Sequence, residues 1–319
     1  MSEEKNLLLN TDNHLDENDV PPLTKWRKML LVFWVVNEEP FLIRFRYINL
    51  HHLPLIEFFL YLFLYYSWCS GVSNKLSGFF GTLLFKILFS IFYFFGLISF
   101  LLVYLSDPGF LPFYHPVIKK RKYTLDEIRD GTAYTKEQIE WAKKQERPSR
   151  SCFTTSSGRF LLRSDHYCKY VGNWIGLYNH RYFLLALFYM GITVLCYFCV
   201  IIYESLYGIY PYSALRFIFE LIVSFFFWAF ILKMLISQLI FVSHNVTGIE
   251  HMKGIDNPIY DHGIISNFEE VCGPRKLIWL WMVPIPLPRT IDGFSFPENT
   301  IQEEENDHNI ATFKINPFL

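Results

Sequence analysis

Four apolar stretches constrain this chain more than anything else in it. Leu53 to Val72, Leu83 to Leu105, Phe183 to Ile202 and Phe217 to Val242 are each long enough to cross about 30 Å of hydrocarbon as a helix. Backbone in lipid must satisfy its own hydrogen bonds, so stretches of this kind fold as helices rather than open strands. Composition agrees: of 319 residues, 52% are hydrophobic, with 33 Phe and 20 Tyr. The expected fold class is therefore an all-α polytopic membrane protein with four transmembrane helices.

Charge sets the topology. The connectors near residues 71–78 and 204–213 hold one Lys and no Arg between them, whereas Ser106–Arg181 carries Lys119, Lys120, Arg121, Lys122, Lys143, Lys144 and more. Lys and Arg stay on the cytoplasmic side, which puts both termini and the long middle segment in the cytosol. The reading divides the chain into a polar, disordered tail and interfacial segment (1–52), a first helical hairpin (53–105), a cytosolic insert between spans 2 and 3 (106–181), a second hairpin (182–243) and a cytosolic C-terminal region (244–319). The net charge of -1 argues against a nucleic-acid partner.

Other signals fill in the loops. Asp107-Pro108-Gly109 stops the second span. Thr124-x-x-Glu127 and Thr135-x-x-Gln138 predict short helices at 125–130 and 136–146, and 147–164 reads as irregular. Ile264–Cys272 is a short helix ending at Gly273. Leu277–Pro288 is apolar but broken by three prolines, so it should rest on the membrane surface or cover the active loop. Glu57, Lys86 and Glu220 should reach back to the interface, and Lys233 should pair with another helix. Cys196 and Cys199 form a C-x-x-C inside an apolar run and read as packing residues. Asn245-x-Thr247 matches a glycosylation acceptor, but on the cytosolic side it should stay unmodified.

The chemistry concentrates in Asp165-His166-Tyr167-Cys168. A thiol becomes nucleophilic when a base removes its proton, and a carboxylate can orient that base and stabilise its charged form. Asp165, His166 and Cys168 thus read as orienting acid, base and nucleophile, about ten residues before a span. Asn173 and Asn179 read as turn-shaping residues.

These residues resemble the DHHC-type protein S-acyltransferases, in the Asp-His-Tyr-Cys variant found in a fungal subgroup. The resemblance rests on the four-span layout, Asp107-Pro108-Gly109, the Asp165–Cys168 motif with the Asn-x-x-Gly and Asn-x-x-x-Phe after it, Thr247-Gly248-Ile249-Glu250, and Asn257 to Gly273. It implies transfer of a palmitoyl group from palmitoyl-CoA, through a Cys168 thioester, to cysteines of membrane-associated substrate proteins at a eukaryotic endomembrane (ER/Golgi) or plasma membrane. Thr247, Glu250 and Asn267 are then supporting residues, with Thr247 holding Asp165 or its loop. The family usually carries two zinc ions in the insert. Laid on that pattern, the ligand positions hold Glu140, Lys143, Phe153, Thr154, Ser157, Phe160, Tyr167 and Trp174. None is Cys or His, so zinc is predicted absent and an aromatic cluster is expected to take its place. Two other classes stay open: an inactive membrane scaffold of the same fold, and a transporter that uses the charges in the spans.

Overall fold

The computed structural model describes residues 52–72, 79–109, 148–154, 159–207, 213–254 and 258–298. The tail 1–52, the predicted helices at 125–130 and 136–146, and Glu140, Lys143 and Ser157 lie outside them, apart from residue 52 itself.

Four long helices carry the fold: α1 (His52–Ser67), which widens into a π-helical turn over Trp68–Val72, α2 (Phe79–Leu105), α3 (His180–Leu206) and α4 (Ala214–Ser243). All four are long and apolar enough to cross a membrane. This is a multi-pass membrane protein. Helix α3 is the central element and packs on both α2 and α4. The core between helices is largely aromatic. Tyr61 and Tyr65 stack on Tyr93 with ring centroids 4.5 and 4.1 Å apart, and Trp68 stacks on Phe89 at 4.1 Å. Flat rings give large contact area at little rotamer cost, which suits packing between helices already surrounded by lipid.

Glu220 does not reach back to water. Its carboxylate accepts from Ser67, Tyr197 and Arg216 at 2.6–2.9 Å and is 3% exposed. Those donors make burial tolerable inside the bundle. Lys233 departs from expectation the other way. It is exposed on α4, where a long side chain can extend along the helix instead of pairing.

The insert is more regular than expected. Two antiparallel hairpins occupy the stretch read as irregular and the motif itself: β1 (Cys152–Thr154) with β2 (Arg159–Leu161), and β3 (His166–Cys168) with β4 (Asn173–Ile175). Strands of three residues are too short to show period-two alternation, which is why the sequence pattern misses them.

The segment after α2 holds these hairpins to the membrane end. Asp107 caps the turn by accepting from Gly109 N–H at 2.9 Å. Leu162 N–H then donates to Gly109 O, and Tyr178 N–H to Pro108 O, both at 3.1 Å. Gly176 makes that approach possible, since a Cβ there would sit 2.7 Å from Pro108 O. After α4, a short helix α5 (Gly248–Met252) and α6 (Ile264–Cys272) complete the described fold. The sequence bounds for α6 match.

Candidate active site

Strand β3 ends at Cys168, and Gly172 N–H returns to Cys168 O at 2.8 Å to close the hairpin loop. The thiol therefore lies outside all four candidate spans, at the head of a tight turn. It is 5% exposed and packs with Val171, Ile175, Tyr182 and Phe183 in the apolar cluster that continues down between the spans.

His166 stands two residues before it on the same strand. Its Nδ1–H donates to Asp165 Oδ2 at 2.6 Å, while its Nε2 is buried with no hydrogen-bond partner among the described residues. The ring meets Phe183 edge-on at 5.3 Å. Burial alone would push the imidazole down, but the Asp165 hydrogen bond and the neighbouring Cys168 sulfur more than offset it and raise the pKa to about 10. Burial would likewise raise Asp165. The His166 hydrogen bond and the Gly248 N–H outweigh it and hold the carboxyl well below the usual range. The site thus pairs a carboxylate with an imidazolium, and the Cys168 sulfur neighbours that ring.

Asp165 is wholly buried and held by three donors: His166 Nδ1, Gln238 Nε2 at 3.0 Å and Gly248 N–H at 2.7 Å. Thr247 does not hold Asp165 as expected. Its hydroxyl accepts from Glu250 N–H at 3.2 Å, and Glu250 returns a bond to Thr247 N–H, forming a capping box on α5. That box starts the helix one residue before Gly248, so the free backbone N–H of Gly248 faces Asp165.

Behind Asp165 runs a chain of buried polar groups. Arg163, fully buried, donates from Nη1 to His180 Nδ1 at 3.0 Å. His180 Nε2 meets Gln238 Oε1 at 2.7 Å, and the Gln238 amide nitrogen donates to Asp165. The ends fix every role along it. A guanidinium only donates and a carboxylate only accepts, so His180 carries its proton on Nε2.

A second cluster ties the insert to the C-terminal region. Arg150 forms a bidentate pair with Glu250 (2.8 and 2.9 Å), and Arg163 pairs with Glu270 at 2.6 Å. Asn245 bridges both arginines through Oδ1 at 2.9 Å and donates to Glu270 and Tyr260 O. Two guanidinium groups face two carboxylates, so the buried lattice is neutral. Burial would raise Glu250, and Arg150 more than offsets it and lowers the carboxyl. Asn245 is 1% exposed, so its acceptor sequence is structurally committed. Asn267 spans 3.0 Å or less to His262 N–H, Ser243 O and Asp261, joining α6 to the end of α4.

Gln238, His180, Arg150 and Arg163 escaped the sequence reading, and Asn245 was read only as a glycosylation acceptor. Gln238 and His180 left a trace, as polar residues on otherwise apolar spans.

The zinc positions do not fit zinc. Phe153 faces Phe160 and Tyr167 faces Trp174 as cross-strand partners in the two hairpins, and the Tyr167 and Trp174 rings lie 5.5 Å apart. Among the described residues no three His, Cys, Asp or Glu side chains converge as a metal site. Phe, Tyr and Trp at these positions offer neither thiolate nor imidazole, and zinc needs about four such ligands.

Residues 133–255 match the DHHC palmitoyltransferase family. That stretch of the chain is similar to the DHHC palmitoyltransferases. Among its relatives, probable protein S-acyltransferase 13 of Arabidopsis thaliana is 29% identical over 198 residues, 57% of this chain and 66% of that protein. Palmitoyltransferase ZDHHC15 of Xenopus laevis is 29% identical over 174 residues, half of each chain. Palmitoyltransferase akr1 of Schizosaccharomyces pombe is 26% identical over 200 residues, 53% of this chain and 31% of that one. The matched part of this chain thus spans less than two thirds of each of these relatives. The match takes in both hairpins, all of α3 and α4, and α5, and so holds every group that touches Asp165.

Proposed function

We propose that this chain is a protein S-acyltransferase that moves a palmitoyl group from palmitoyl-CoA to cysteine thiols of membrane-associated proteins. The observation that carries the reading is His166, fixed through Nδ1 to buried Asp165 with Nε2 unpartnered beside Cys168.

The reaction follows from that arrangement. The Cys168 proton passes to His166, leaving a thiolate beside an imidazolium that Asp165 stabilises. The thiolate attacks the thioester carbonyl of the acyl-CoA, and the carbon–sulfur bond to CoA breaks. The departing CoA thiolate takes the His166 proton. An acceptor cysteine then gives its proton to neutral His166 and attacks the Cys168 thioester, which restores the thiolate–imidazolium pair. A thioester is exchanged for a thioester in each step, so positioning rather than driving force limits the rate. The apolar cluster under Cys168 suits an acyl chain lying between the spans.

The Lys and Arg of the insert support a site on the cytosolic face, and the likeness to DHHC palmitoyltransferases supports a eukaryotic endomembrane (ER/Golgi) or plasma membrane. Zinc takes no part in this reading. The hairpins are held by the Tyr167–Trp174 contact and by the Arg150–Glu250 and Arg163–Glu270 lattice. The scaffold alternative draws on the missing metal donors, and the intact Asp165–His166 pair weighs against it.

Labelled palmitoyl-CoA tests the reading. Purified protein should form a hydroxylamine-sensitive adduct that disappears in Cys168→Ser. An adduct that persists in Cys168→Ser, or none in the wild type under conditions where a related acyltransferase forms one, refutes it.

A further inference from the structure

The turn Arg275–Leu280 and the proline-broken residues after it lie against the start of α3. Arg181, in the first turn of that helix and 6% exposed, donates to Leu280 O at 2.7 Å, Trp281 O at 3.2 Å, Ile285 O at 2.6 Å and also Val283 O. Tyr189 OH donates to Met282 O at 2.6 Å. Tyr189 is eight residues further along α3, about 12 Å down its axis, and its ring leans back toward the helix start. Five carbonyls between residues 280 and 285 therefore point at two side chains of a membrane span.

The opposite side of this segment is apolar and bare. Ile278, Trp279, Met282 and Ile285 are 50, 69, 44 and 39% exposed. Cations bracket it, with Arg275 and Lys276 exposed before it and Arg289 after it, against the Tyr178 ring at 3.5 Å.

We propose that residues 278–286 are sunk into the acyl region of the membrane leaflet nearest Cys168, as a non-helical wedge whose backbone is satisfied by Arg181 and Tyr189. In water, solvent would serve these carbonyls and nothing would favour desolvating a guanidinium to cap four of them. Where water is absent, irregular backbone persists only if protein groups satisfy it, and this segment has that provision. The exposed Trp with flanking Lys and Arg is the composition of a segment at the headgroup boundary. The occupant is the bilayer that α3 already crosses, because the wedge is bonded to the side of that span. This inference rests on the membrane spans and is independent of acyl transfer.

Tryptophan fluorescence tests it on the full chain in lipid nanodiscs. Subtracting the emission of Trp279→Phe from that of the wild type isolates Trp279, whose exposed ring carries no packing that the exchange would break. We expect this difference signal to lose most of its intensity in phospholipids brominated high on the acyl chain, and to resist aqueous acrylamide. Quenching by acrylamide but not by brominated chains overturns the proposal. Resistance to both also overturns it, since a second copy or another part of the chain would then cover the segment. Adduct formation at Cys168 is read separately, so either idea can fail alone.

Discussion

Gln238, about one and a half turns from the end of α4, donates to the same oxygen of Asp165 that receives the His166 ring proton, at 3.0 and 2.6 Å. A membrane span thereby holds the carboxylate that orients the His166 ring. Gln238→Leu removes that donor and leaves the His180 Nε2–H without its acceptor, a loss of about 1–3 kcal/mol. We expect adduct formation at Cys168 to slow about ten-fold or more, with KM for palmitoyl-CoA unchanged, because Gln238 positions the base and does not bind substrate. A change confined to KM would contradict this.

The Asp165–His166 pair gives a defined pH dependence of stability. His166 rises from its ordinary 6.5 to about 10 on folding, so its contribution is complete below 6.5 and lost as pH climbs through 10. Asp165 is lowered from 3.8, so its contribution is complete above that value and lost only in stronger acid. The Tm difference between the wild type and His166→Asn should therefore be largest between about pH 4 and 6.5 and shrink toward pH 10. A difference that grows with rising pH would contradict the pairing.

Gly248 has no room for a side chain. A Cβ would lie 3.1 Å from Asp165 O, and Asp165 is tied in place by Gln238 and His166. Gly248→Ala should cost about 1–3 kcal/mol by overpacking and should slow adduct formation more than Ile249→Ala, its half-buried neighbour. Thermal melts and single-turnover labelling of both variants provide the comparison.

Glu270 faces both buried arginines, at 2.6 Å from Arg163 and 3.3 Å from Arg150. Glu270→Gln leaves the lattice with an uncompensated positive charge and should lower stability by about 3–5 kcal/mol. Half-buried Glu269→Gln, at 3.7 Å from exposed Arg275, should change it by less than about 1 kcal/mol. Denaturant melts in detergent separate the two.

Chelation should have no effect. With rings at the ligand positions of both hairpins, incubation with a strong zinc chelator should leave Tm and adduct formation unchanged, and metal analysis should find no stoichiometric zinc. Trp174→Ala, which removes half of the Tyr167–Trp174 contact, should destabilise by about 2 kcal/mol. Two equivalents of zinc in purified protein would refute the metal-free reading.

What the sequence made legible followed from patterns long enough to repeat. Helices of 27 and 30 residues announce themselves by apolar length, and Asp165, His166 and Cys168 sit within four positions of one another. The three-residue strands could not be read because no period fits inside them. Gln238 and Arg163 were out of reach for another reason: their partners lie 73 and 107 residues away, and only the packed helices bring them together. Thr247 was assigned the contact that its neighbour Gly248 makes through backbone, which no side-chain pattern can reveal.

Asn173 sits opposite Cys168 in the hairpin, and its amide donates to Val103 O and Ser106 O at 2.9 Å each. Those carbonyls are the loose end of α2. Cys168 is therefore bolted to the tip of a span rather than hung on a tether, and it moves when that span tilts. Thinning or thickening of the bilayer, which helices answer by tilting, would shift the sulfur relative to the lipid surface without any loop having to transmit the change.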